Sequence, residues 1–180
     1  GYVTLDNPAR EFGDAATLTF GQEFVSLFTP GDLFRFELSG TAAFDGDEND
    51  LYGSVIYRAP LGFSGTYGEV YLGNAVGDRD ATGTLRQTDL DGDTAILAIG
   101  HPVIRDVDTY GYALIEARRS SSDSDVDGVS TDFESTVNVI AASWIYGRAL
   151  QNGGAFEYAT NFAVGSRTSD AVGFSDGDKD

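Results

Sequence analysis

Apolar and polar side chains alternate with a period of two along most of the chain. Phe34, Phe36 and Leu38 oppose Arg35, Glu37 and Ser39; Leu18 and Phe20 oppose Thr17 and Thr19, with Glu23 farther along the polar side. Phe156, Tyr158, Phe162 and Val164 likewise oppose Glu157, Asn161 and Gly165. Successive residues of a strand point to opposite sides of a sheet, so this period marks a sheet whose two faces meet different surroundings. The fullest example lies between Leu90 and Glu134. There Ala95, Leu97, Ile99 and Val103 share one face of a strand, and Ala113, Ile115 and Ala117 share one face of the next, opposite Glu116 and Arg118. The pattern predicts nine strands, near residues 1–5, 15–25, 33–41, 52–60, 66–75, 94–104, 110–119, 135–148 and 155–165. Helical spacing is absent, so no helix is expected. In 135–148 the apolar residues change sides, Val137 and Val139 against Trp144 and Tyr146, which points to a bulge.

The connections sort by length. Short ones (26–32, 61–65, 105–109, 149–154) alternate with longer ones (6–14, 42–51, 76–93, 120–134 and the tail from 166). In an up-and-down antiparallel meander, alternate connections fall on opposite edges of the sheet, which gives this chain a short-turn edge and a long-loop edge. Charge follows the same division, because the long connections hold 21 of the 29 acidic residues. Five acids, Glu23, Glu37, Glu69, Glu116 and Glu157, fall within strands, each on the polar side of the alternation.

Composition narrows the classes. The 23 glycines, 9 tyrosines and 12 phenylalanines suit a β protein rich in turns, and 180 residues suffice for one domain. A formal charge of −18 argues against a nucleic-acid partner held by a basic patch. The absence of cysteine excludes disulfides and thiolate chemistry within these residues. No apolar run is long enough for a membrane-spanning helix, which leaves a membrane-spanning barrel open. No secretory signal stands at Gly1, and both ends read as cut from something longer.

An apolar face opposite a polar one has two physical explanations. In a soluble sandwich the apolar face packs on a second sheet. In an outer-membrane barrel it meets lipid, while the polar face lines a wet lumen. Three features favour the barrel: aromatic residues near strand ends on the apolar side (Phe24, Tyr112, Phe156, Tyr158), the sorting of connections by length, and charged residues in mid-strand, which a wet lumen tolerates. The reading is an all-β fold, an antiparallel meander of about nine strands without helices, spanning 1–180 as part of a transmembrane β-barrel. An odd strand count and a polar end imply that closure needs strands beyond these.

The opening V-T-L-D-N, then S-L-F-T-P-G-D-L-F-R-F-E-L-S-G, then Y-G-S-V-I-Y-R-A-P-L-G resembles the barrel of the haemolysin-activator transporters of two-partner secretion. The residues that carry the resemblance are Asp6 and Asn7; Pro30, Gly31 and Asp32; Pro60, Leu61 and Gly62; and the I-G-H-P-V-I-R-D run from Ile99 to Asp106. The resemblance implies an outer-membrane protein, not an enzyme, that exports a large partner polypeptide through a wet channel, with its acidic long loops outside the cell. Periplasmic modules would precede Gly1, and further strands with an inward-folding arginine loop would follow Asp180. The alternatives are a general porin-like barrel and a soluble calcium-binding surface domain acting in adhesion.

On the polar face Arg35, Glu37, Glu69, Glu116, Arg118 and Glu157 are expected to face the lumen, where they either contact a passing chain or pair among neighbouring strands. Asp123, Asp125, Asp127 and Glu134, with Gly128, match the spacing of an EF-hand calcium loop; a solvated acidic loop is the plainer explanation. Asp45, Asp47 and Asn49 match it less well, and the triplets Asp89, Asp91, Asp93 and Asp176, Asp178, Asp180 are weaker still. His101 is the only histidine, so any serine–histidine catalysis would have to use it, yet no nucleophile signature accompanies it. No cofactor is expected.

Overall fold

Alternation of side chains commits these residues to extended backbone, and a computed structural model describes residues 1–6, 15–43, 48–79, 88–126, 132–150 and 153–172. The strands are β1 (Tyr2–Asp6), β2 (Ala15–Val25), β3 (Leu33–Ala43), β4 (Glu48–Pro60), β5 (Tyr67–Arg79), β6 (Thr88–Arg105), β7 (Thr109–Val126), β8 (Asp132–Ala149) and β9 (Ala155–Val172). They form one antiparallel sheet in chain order, each strand pairing with its neighbours in sequence, with β1 and β9 at the edges. This is the predicted nine-strand meander. No helix occurs among the described residues.

Strand lengths depart from the sequence reading. β6 to β9 run 18 residues each. Asp89, Asp91 and Asp93, expected in a connection, lie in β6, and Asp123 and Asp125 lie in β7. Ladder hydrogen bonds join backbone to backbone, so pairing continues where both faces have turned polar and the alternation that reveals a strand has vanished. The expected bulge in 135–148 is absent, because β8 pairs in unbroken register with both β7 and β9. A register shift occurs instead in β6 between Pro102 and Ile104, leaving Val103 outside the pairing with β7.

The short turn of residues 26–32 shows how local chemistry closes a hairpin. Asp32 is wholly buried; its carboxylate accepts the backbone N–H of Leu27 (2.8 Å), Phe28 (3.0 Å) and Thr29 (2.8 Å), and the Tyr57 hydroxyl from β4 (3.2 Å). Burial pushes its pKa up, but the three N–H donors and Tyr57 more than offset this and hold it below the ordinary aspartate value. Gly31, at φ 85°, and Ser26, at φ 57°, supply the left-handed residues of the turn. Phe28 packs edge-on against Phe34 and Tyr57, with ring centroids 6.1 and 5.7 Å apart, tying the turn to the aromatic end of the apolar face.

Candidate functional site: two faces of one sheet

Register decides which side chains share a face. Following the cross-strand pairs from β5 to β9, Val70, Leu97, Ala117, Ile140 and Val164 form one continuous row, all apolar. Four residues toward the long-loop edge, the row on the same face reads Asn74, Asp93, Ser121, Thr136 and Thr168, all polar. Between them lies a mixed row, Leu72, Ala95, Arg119, Asn138 and Ser166. From β5 to β9 the apolar band thus gives way to polar residues across one mixed row. Toward the short turns it ends in aromatic residues: Phe24, Phe34 and Tyr57 on β2 to β4, and Trp144, Tyr146, Phe156 and Tyr158 on β8 and β9. Along β9 the band runs from Phe156 to Val164, about 27 Å at the usual strand rise.

This face is open. Leu97 is 59% exposed, Ile140 64% and Phe162 82%, and no second layer of the described chain covers them. On the opposite, charged face Ala98 and Ala141 are 4% and 6% exposed, and Ile56, Ile96, Leu114 and Val139 are half-buried.

The sequence-predicted residues Arg35, Glu37, Glu69, Glu116, Arg118 and Glu157 share that charged face with Glu23. Arg35 pairs with Glu37 at 2.9 Å and Arg118 with Glu116 at 2.7 Å, each within its own strand, whereas pairing between strands was expected. Glu69 does pair across strands, with Arg58 of β4 at 2.5 Å. Arg58 went unrecognised in the sequence, although its alternation with Tyr57 marks its side. All three pairs remain partly exposed, so each contributes at most about 1 kcal/mol.

The tyrosines of this face were also missed. Tyr2, Tyr67 and Tyr110 each begin or nearly begin a strand, and each ring lies across a glycine of the next strand: Gly21, Gly100 and Gly147. In two cases the phenol reaches on to a third strand, where Tyr2 donates to Glu37 and Tyr110 to Glu157. Glu37 is the direct partner of Gly21, and Glu157 of Gly147, so Tyr-Gly-Glu forms a straight row over three strands. Arg58 stacks on the Tyr67 ring at 4.7 Å. The Tyr52 and Tyr71 hydroxyls meet at 2.5 Å. Only register brings these residues together, and no local motif announces it. Tyr112, expected on the apolar side, pairs with Pro102 and Ile145 on the face of Glu116; it stands an even number of residues from Glu116 on a strand without a bulge, which settles its side.

The calcium pattern is only partly within view. Asp127, Asp45, Asp47 and the Asp176, Asp178, Asp180 triplet lie outside the described residues. Asp123 and Asp125 sit in β7 and Glu134 in β8, with Asp123 directly opposite Glu134, and no group able to hold a metal ion occurs among the described residues. Asp91, Asp123 and Glu134 form one row of like charges, and Asp78, Asp89 and Asp125 another. Asn74 donates to Asp91 (3.2 Å) and Asp93 (3.1 Å). His101 lies on the apolar face, where its Nδ1 shares a 2.7 Å hydrogen bond with the Thr66 hydroxyl; Thr66 in turn meets Ser64 at 2.8 Å.

Comparison with family models, with curated proteins and with solved structures found no match.

Proposed function

We propose that this sheet is a segment of the wall of an outer-membrane β-barrel, its apolar face against lipid and its charged face toward a wet lumen. The observation that carries the reading is the banded, uncovered apolar face. A soluble sheet needs a second layer over such a surface, since exposed apolar patches of this extent on soluble chains mark interaction sites. A band of about 27 Å along strands tilted about 40° spans about 21 Å of bilayer, near the roughly 25 Å apolar height of such barrels. The ion pairs and tyrosine rows on the other face then border water, which accommodates partly exposed charge.

Within that class we assign the chain to a transporter that exports a large partner polypeptide by two-partner secretion. This finer assignment rests on the resemblance carried by Asp6 and Asn7, by the Pro30, Gly31, Asp32 turn, and by Pro60, Leu61 and Gly62. Transport requires no bond chemistry: the wall excludes lipid while an unfolded chain passes along the polar face.

Single cysteines in the full-length protein test the orientation. Spin labels at Leu97, Ile140 and Phe162 should be accessible to oxygen dissolved in lipid, and labels at Glu116 and Glu157 to a water-soluble nickel complex. Labels at the first three positions shielded from both reagents would reveal a covering protein layer and end the barrel reading. For the transport assignment, cells lacking the protein should retain a large exported polypeptide in the periplasm. Unchanged secretion together with ion conductance in planar bilayers would reduce the assignment to a general pore.

A further inference from the structure

Two arginines, Arg119 and Arg148, occupy the apolar face among the described residues, and they bracket the apolar band. Arg119 lies in the mixed row at its upper boundary, directly opposite Asn138 of β8. Arg148 lies at the short-turn end, opposite Thr109 and Phe156. Between the two levels β8 presents Ile140, Ala142, Trp144 and Tyr146 on this face, none of them charged. The arginines that form ion pairs among the described residues, Arg35, Arg58 and Arg118, all belong to the opposite face.

The spacing between these two levels is the informative quantity. Asn138 and Arg148 stand ten residues apart on β8, about 34 Å at the usual antiparallel rise. At a strand tilt of about 40° this projects to about 26 Å along the membrane normal, matching the roughly 25 Å apolar height of an outer-membrane barrel. A guanidinium at each limit of that height meets the plane where lipid phosphates begin. Its planar fork suits phosphate oxygens, and its stem can lie along apolar surface. Asp91, Asp93 and Asp123 stand beyond Arg119 on the same face, where they repel anions and restrict the phosphate-compatible level to the row of Arg119.

We propose that Arg119 and Arg148 bind the phosphate groups of membrane lipids, one in each leaflet, and so fix the depth at which this wall sits. The inference rests on the outer-membrane reading and adds its polar lipid contacts. The test uses full-length protein carrying carbon-13 at the arginine guanidinium, reconstituted in bilayers of phosphatidylglycerol and phosphatidylethanolamine. Solid-state carbon–phosphorus recoupling should show guanidinium signal dephased by lipid phosphorus. Arg119→Gln and Arg148→Gln should each remove a separate share of that signal. If neither substitution changes the dephased fraction, while Leu97 and Ile140 methyls still show contacts to acyl chains, the phosphate inference fails and the barrel reading stands. Absence of acyl contacts overturns both.

Discussion

The tyrosine laid across Gly147 makes a quantitative demand. A Cβ built on Gly147 falls closer than 3.0 Å to the ring of Tyr110, whereas carbon atoms in ordinary contact sit about 3.5–4.0 Å apart. The ring cannot slide away along the sheet, because its hydroxyl is fixed to Glu157 on the strand beyond. It must lift, losing both that hydrogen bond and its contact with the backbone of β8. Overpacking of this kind costs about 1–3 kcal/mol. Replacing a strand glycine by alanine returns about 0.5–1 kcal/mol through the restricted unfolded chain. Gly147→Ala should therefore destabilise the full-length protein by about 1–2 kcal/mol, read from urea titrations of the protein folded in phospholipid vesicles. Gly40→Ala is the control, since its added carbon meets only Leu51 at 3.9 Å and the Asp50 carbonyl at 4.0 Å, and it should be neutral or slightly stabilising. Combining Gly147→Ala with Tyr110→Ala should abolish the penalty. If Gly147→Ala costs no more than Gly40→Ala, or costs the same without Tyr110, the rows do not govern packing of this face.

Further outcomes follow from the same geometry. Ile140→Arg places a charge within the apolar band and should destabilise the membrane-inserted protein by about 2–4 kcal/mol, whereas Ala98→Ser, on the charged face, should cost far less; equal costs in vesicle refolding would contradict the assignment of faces. Asp123→Asn removes the central charge of the Asp91, Asp123, Glu134 row and should stabilise by about 0.2–1 kcal/mol, an effect that shrinks as salt is added. The folded-state pKa of Asp32 lies below its ordinary value, so its stabilisation is complete above the ordinary aspartate range and is lost as pH falls through the lower folded value. Hydrogen exchange at Leu27, Phe28 and Thr29 should accelerate in that acid window, and Asp32→Asn should exchange fast at neutral pH too.

Alternation made the strands legible where apolar and charged residues take turns, as in Phe34 to Leu38 or Ile115 to Arg118. It failed in Thr88 to Asp93 and Ser120 to Val126, where polar residues and glycine fill all but one position of each segment and the alternation lapses while the backbone is still paired. The side taken by each of the five strand glutamates followed from parity alone, whereas Tyr112 was misplaced because its aromatic character was allowed to outweigh its even spacing from Glu116. Residues 135–148 deceived differently. Val137, Val139 and Ile145 lie on the charged face, where neighbouring side chains half-bury them, so apolar character there does not mark a change of register. The Tyr-Gly-Glu rows were beyond sequence reasoning, because each joins residues from three strands and depends on register that no single segment encodes.

The two ends of the strands carry opposite kinds of interaction, and this orders the sheet along its length. Near the short turns, Asp32 ties β2 to β3 and β4, the tyrosine rows each cross three strands, and Arg58 joins Glu69 and Tyr67. Beyond the apolar band the strands run on with carboxylate opposite carboxylate, held by ladder hydrogen bonds that water also competes to make. Opening of a sheet begins where local interactions are weakest, so the long-loop ends should open before the short-turn rim. Under the proposed transport reading, this division would let the turn-side rim keep its strand register while the acidic ends open first.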